Sequence, residues 1–196
     1  MGDDFMQDII RPGLTLFAIT AIFTLILAVT NFLTIDVIAD AREQTRLASM
    51  SYVLPGTTGF SVDVGIDDDT SMLSYAVGFD GDMPIGVVVQ MSATGWAHMT
   101  FLVGIGLDGA ITGLDIISHA ETPGLGARIT EEVYRHQFIG ATGDVQVLTR
   151  GNAGENEVMA ITGATITVQV VTDGVNDALE FVNGAVLPNI QRYSPQ

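Results

Sequence analysis

The chain has 196 residues, enough for one ordinary domain plus an anchor, and sets 23 acidic against 7 basic residues for a formal net charge of −16. Every basic residue is arginine, a balance that argues against nucleic acid, which needs a basic footprint, and against adhesion to anionic lipid. No cysteine is present, so thiolate-held iron–sulfur clusters, thiol nucleophiles and disulfides are excluded, and redox chemistry would have to use an organic cofactor or His and carboxylate metal ligands.

From Pro12 to Ile35 no residue is charged, and most positions are Leu, Ile, Phe, Val, Ala or Thr. A helix needs about 20 apolar residues to cross the hydrocarbon core, and this run supplies them. It exceeds the ~7–15 residues of a signal-peptide h-region, and Asp3, Asp4 and Asp8 precede it against a single Arg11. The threonines in the span are expected to bond back to the preceding turn. Arg11 flanks one end and Arg42 and Arg46 the other, so the distribution of positive charge gives no orientation. Residues 36–50 read as the helix continuing, and Leu54-Pro55-Gly56 ends it. The expected divisions are 1–11, a span over 12–35, a helix and linker over 36–59, and a domain over 60–196.

Residues 60–70 carry Asp63, Asp67, Asp68 and Asp69 without EF-hand spacing, which predicts a solvated loop or edge strand. Strands are expected at Ser74–Phe79, Ile85–Met91, Thr100–Ile105 and Ala110–Ile117. The last two are joined by Gly106-Leu-Asp-Gly109, a hairpin signal. Residues 104–109 also spell G-x-G-x-x-G. A dinucleotide fingerprint must run from strand into helix, and here a strand follows, so a Rossmann site is rejected. Thr130–Phe138 reads as a short helix capped by Thr130, with Gly140 beyond it. Val145–Leu148 and Val158–Ile161 are expected strands around the turn-rich loop 152–157. Val168, Val171, Val175, Ala178, Leu179 and Val182 then follow helical spacing, with Asn183-Gly184 as the stop and Pro188 beyond. The fold class is α+β, a single domain of short antiparallel strands and helices behind one membrane helix.

Two motifs carry chemistry. Ile161-Thr-Gly-Ala-Thr165-Ile-Thr167 opens the last helix, whose free amides and dipole suit a phosphate, while Gly163 and Ala164 let a bulky ligand approach. An ordinary N-cap at Thr162 or Thr165 is the competing reading. His119-Ala-Glu-Thr-Pro-Gly-Leu-Gly126 leaves a strand directly, and its Pro123-Gly124 alone signals a turn.

Together with the span and the Asp8-Ile-Ile-Arg-Pro-Gly opening, these motifs resemble the RnfG/NqrC family of membrane redox-pump subunits over nearly the whole chain. The resemblance implies FMN joined by a phosphoester to Thr165, with Thr162, Gly163, Ala164 and Thr167 around the link. It also implies that Glu121, Thr122, Gly124, Leu125 and Gly126 meet the ring, with Arg128 as the basic residue that usually follows. Trp96, after Gly95, falls where the family often has an aromatic and reads as a core or rim residue, with stacking near the flavin as the alternative. His98 and His136 read as structural and His119 as a strand-end residue. The resemblance further implies a cytoplasmic N-terminus, an exported domain, a separate flavin transferase, and partners RnfA, RnfB, RnfC, RnfD and RnfE in an ion-translocating ferredoxin:NAD oxidoreductase. Met159 stands where the transferase prefers Asp, and Val168 where Ser is common. The compact length favours RnfG over NqrC; a stand-alone anchored flavin domain and a non-redox binding module are the further alternatives.

Overall fold

The computed structural model describes residues 2–66 and 71–195, with side chains from Arg11 onward, so Asp67, Asp68 and Asp69 lie outside the described residues. Two compact units divide the chain between Gln44 and Thr45. Helix α1 (Gly2–Val53) runs through the first and ends in the second. In the first unit the apolar side chains point outward, and a stretch from Arg11 is long and apolar enough to cross a membrane. The threonine hydroxyls do bond back: Thr15, Thr20, Thr30 and Thr34 each donate to the carbonyl four residues earlier, at 2.9 Å. The protons of these four hydroxyls are thus accepted within the helix itself.

The second unit is built on an antiparallel sheet. Its strands are β1 (Gly59–Phe60), β2 (Val64–Gly65), β3 (Met72–Asp80), β4 (Met83–Thr94), β5 (His98–Gly106) and β6 (Ile111–His119). The order is β1-β3-β4-β5-β6, with β2 also on β3. The four expected strands are all present. Residues 59–65 form two short edge pairings rather than a plain loop. Gly106–Gly109 makes the hairpin: the Gly109 amide donates to the Gly106 carbonyl at 3.0 Å, and Gly109 has φ +79°. The G-x-G-x-x-G is therefore a strand end and a turn. Beyond β6 come 3₁₀ turns (Gly126–Thr130 and His136–Phe138) around a short α2 (Glu132–Arg135). Strands β7 (Gln146–Leu148) and β8 (Glu157–Met159) follow and pair in parallel. Last come α3 (Thr165–Phe181), a π-turn over Val182–Val186 and a 3₁₀ segment over Leu187–Arg192.

Three local expectations change. Thr130 does not cap a helix; its hydroxyl donates back to the Ala127 carbonyl at 2.9 Å, and extended Glu131 precedes α2. The expected helix over 130–138 is one α-turn between two 3₁₀ turns. Asn183-Gly184 does not stop the helical backbone but widens it into the π-turn. The Asn183 side chain lies against the Gly109 turn, its oxygen 2.6 Å from where a Cβ on Gly109 would stand.

Both faces of the sheet are covered, which explains why Val87-Val88-Val89 is continuously apolar. Successive strand residues point to opposite faces. Val87, Val89, Met91, Phe101 and Val103 face α3, while Ala76, Val88 and Leu102 face Met50, Val53 and Leu54 at the end of α1. Helix α3 is rich in Val and Thr, which cost up to ~0.7 kcal/mol each in helix propensity. Burying Val168, Val171, Val175 and Leu179 returns about 1.5–3 kcal/mol apiece, so packing decides its conformation.

Candidate functional site

The Thr-Gly-Ala-Thr turn leaves β8 and enters α3. Gly163 has φ +82°, a region that L side chains avoid, and the Ala164 amide donates to the Ile161 carbonyl at 2.9 Å. The N-cap is Ala164, and no side chain caps the helix. Neither Thr162 nor Thr165 fills that role, so the competing N-cap reading is not what the turn does. The first helical bond is Val168 N–H to the Ala164 carbonyl at 3.1 Å, so the amides of Thr165, Ile166 and Thr167 precede it. Thr165 is the first helical residue and is exposed. An alanine cap is a poor one, usually about 1 kcal/mol worse than Ser, Thr, Asp or Asn. An anion supplied from outside would satisfy the same amides.

The loop after β6 lies against this turn. The Leu125 amide donates to the Thr122 carbonyl at 3.2 Å across Pro123-Gly124, with Gly124 at φ +78°. Pro at the second and Gly at the third position make this a type II turn. Leu125 Cδ2 lies 3.1 Å from the point where a Cβ on Gly163 would stand. The two motifs, about 40 residues apart in the chain, thus meet at a glycine that leaves room for a leucine methyl.

A third segment joins them. The turn between β4 and β5 carries Gly95, whose absent Cβ would be 3.6 Å from Thr167 Cα and 3.8 Å from Glu121 Oε1. Trp96, in that turn, is 76 % exposed, a rim residue rather than a core one. Leu125 is 46 % and Ile166 50 % exposed. Three large apolar side chains are therefore left in solvent on the three segments that converge at Thr165. Ile166 is absent from the residues expected at the site, yet it breaks the apolar spacing of α3 one residue beyond Thr165, and that break is the signal the sequence offers.

The remaining expected site residues divide by burial. Thr122 and Gly124 are exposed; Glu121, Gly126, Ala164 and Thr167 are buried. Arg128 pairs with Glu131 at 3.1 Å on the surface. Met159, half-buried, donates its amide to Gln137 Oε1 at 2.7 Å and lines a cleft of about 250 Å³ with Arg128, Tyr134 and Thr162. His119 is exposed at the end of β6, His98 lies 3.5 Å from the Thr94 hydroxyl, and His136 lies 3.4 Å from Glu132. None of the three touches the turn at Thr165 through these contacts.

Two family models match the chain, one described as an FMN-binding domain over residues 95–180 and one as the RnfG N-terminal region over residues 1–53. The first match opens at Gly95 and closes within α3, so it encloses the three converging segments. The RnfG-type component of the Na(+)-translocating ferredoxin:NAD(+) oxidoreductase complex of Acetobacterium woodii is 34 % identical over 188 residues, covering 88 % of this chain and 90 % of its own. The chain belongs to the RnfG family. The corresponding component of the ion-translocating oxidoreductase complex of Methanosarcina acetivorans is a second RnfG relative, 32 % identical over 90 % of this chain and 96 % of its own. Among solved structures, the NqrC-type component of the Na(+)-translocating NADH-quinone reductase of Parabacteroides distasonis aligns with a TM-score of 0.47 at 28 % identity, over 57 % of this chain and 62 % of that one.

The site fits FMN as the family description names it. The uncapped start of α3 offers backbone donors to a phosphate, and Trp96, Leu125 and Ile166 are exposed apolar side chains on the segments around it, of the kind that a flat ring can pack on.

Proposed function

We propose that this RnfG-family chain is the electron-relaying subunit of a membrane ion-translocating ferredoxin:NAD oxidoreductase, with FMN held by a phosphoester at Thr165 Oγ1. The observation that carries the covalent reading is the exposed Thr165 hydroxyl on the first residue of a helix that no side chain caps. No histidine or cysteine activates that hydroxyl within the turn, and an unassisted aliphatic hydroxyl is a weak nucleophile. Loading is therefore assigned to a flavin transferase acting on FAD. The Thr165 O–P bond forms, the pyrophosphate bond of FAD breaks, AMP leaves, and the hydroxyl proton goes to a base on the transferase.

Once attached, the flavin supplies one- and two-electron chemistry. The chain's own residues do the rest. The first-turn amides of α3 hold the phosphodiester charge, Leu125, Ile166 and Trp96 bear on the ring, and Thr122 offers it a polar contact. A covalent link removes dissociation and fixes the ring's location, so electron hops depend on geometry rather than on binding equilibrium. The partners on this reading are RnfA, RnfB, RnfC, RnfD and RnfE. The N-terminus is cytoplasmic, the helix over 12–35 crosses the membrane, and the domain is exported.

Denaturing-gel flavin fluorescence of the full chain, co-expressed with a flavin transferase, tests the linkage. The parent and Thr162→Ala bands are expected to fluoresce and Thr165→Ala to be dark. A fluorescent Thr165→Ala band moves the link elsewhere.

A further inference from the structure

Glu121 and Thr167 are the polar side chains at this site that do not face solvent. Glu121 is 7 % exposed and Thr167 0 %. Among the described residues the Thr167 hydroxyl has no hydrogen-bond partner. Glu121 Oε1 accepts the Ala97 amide proton at 3.3 Å and lies close under Gly95. Glu121 Oε2 occupies the space where a Cβ on Gly126 would sit, and Thr167 Oγ1 is 3.1 Å from that same point. One buried carboxylate thus touches the Gly95–Ala97 turn and Gly126 at the far side of its own loop, next to the first turn of α3. Arg128, the nearest guanidinium in sequence, pairs with Glu131 instead. A carboxylate is a costly group to bury, and a leucine or methionine would fill the same space without that cost.

We propose that Glu121 is the positioning residue of the flavin site: by holding the Ala97 amide it fixes the turn that carries Trp96 against the start of α3, beside Leu125 and Ile166. The inference rests on the flavin reading above for its purpose, although not for its geometry. Glu121 does not touch the ring on this account. It acts through Trp96, whose placement decides how closely an indole can approach the flavin and quench it. Gly126 is required because the carboxylate fills its side-chain volume, whereas a Cβ on Gly95 would make only ordinary contacts with Thr167 and Glu121.

Trp96 is the single tryptophan of the chain and reports on its own turn. The test uses the full chain in detergent with Glu121→Met, which keeps the volume and removes the acceptor, and Glu121→Gln, which keeps an acceptor for Ala97. Each is made in a flavin-free Thr165→Ala background and in the transferase-loaded form. Expected are a loss of Trp96 fluorescence anisotropy in E121M, a rise in flavin emission in loaded E121M, and parent-like values for E121Q, with melting temperatures of E121M and E121Q alike. Equal anisotropy in E121M, E121Q and the parent overturns the proposal. Should E121M not accumulate, amide exchange in the unaltered chain decides: Ala97 is expected to exchange far more slowly than Trp96, and equal rates overturn it. A parent that holds no flavin defeats the phosphoester reading alone, since the flavin-free anisotropy comparison still stands.

Discussion

Gly163 shows how one residue type joins conformation to chemistry. Its φ of +82° strains any other residue, and a Cβ there would press on Leu125 at 3.1 Å. Gly163→Ala is expected to cost about 1–2 kcal/mol, seen as a melting point lower by several degrees, and to reduce the fraction of chain that carries flavin. A variant with the parent's melting point and loading would show that the turn tolerates a side chain. Tyr75 gives a prediction in pH. Burial first, and then its 2.8 Å hydrogen bond with the Tyr193 hydroxyl, push its pKa up to about 12. The folded state therefore holds that phenolic proton more tightly than the unfolded chain, whose tyrosines titrate near ~10. The stabilisation is complete below pH ~10 and is lost as pH rises toward ~12. Phenolate absorbance should show one tyrosine titrating late, and Tyr193→Phe should bring it earlier. The turn at Gly163 and the loop at Gly124 were legible in sequence because glycine and proline leave local marks. The buried side of Glu121 was not, because burial belongs to the neighbours that fold over a residue, and those lie at Gly95 and Thr167.

At the scale of elements, the end of α1 sits in a seat made of glycine. A Cβ on Gly104 would collide with the Val53 carbonyl, one on Gly113 would lie 2.7 Å from Val53 Cα, and one on Gly78 would lie 2.5 Å from a Leu54 methyl. These glycines pair across strands, Gly78 with Gly86 and Gly104 with Gly113, so the bare patch spans four strands. Thr112 closes the seat by donating to the Val53 carbonyl at 2.6 Å, and Arg135 lies over the Tyr52 ring at 5.1 Å. The collision at Gly104 is with backbone, which cannot rotate away. Gly104→Ala is expected to cost about 1–3 kcal/mol or more, while Gly59→Ala, which meets nothing within 4 Å, should fall within ~0.5 kcal/mol of the parent. Thermal melts followed by circular dichroism compare the two; equal midpoints would mean that the seat does not hold the helix. Sequence periodicity placed β3 to β6 and α3, because each shows one spacing over many residues. The strands at β7 and β8 were expected too, but not their parallel pairing, because a three-residue strand carries no mark of its partner, and the Asn-Gly step gave no sign of the π-turn after α3.

For the whole molecule, the sequence carried the span, the order of motifs and the acidic balance, and the family match follows the same order. Topology across the membrane was illegible, since arginines stand at both ends of the span. The absence of cysteine makes that direction measurable. Asp82→Cys, in the exposed turn between β3 and β4, should react with a membrane-impermeant maleimide in intact cells. Labelling only after lysis would place the domain in the cytoplasm and remove the argument for a permanently attached cofactor. The decisive measurement is intact mass spectrometry of the chain purified from its native membrane, followed by peptide mapping. A chain heavier by one FMN less one water is expected, with the added mass on the peptide containing Thr165; an unmodified mass, or the addition on another residue, would rule out the phosphoester at Thr165.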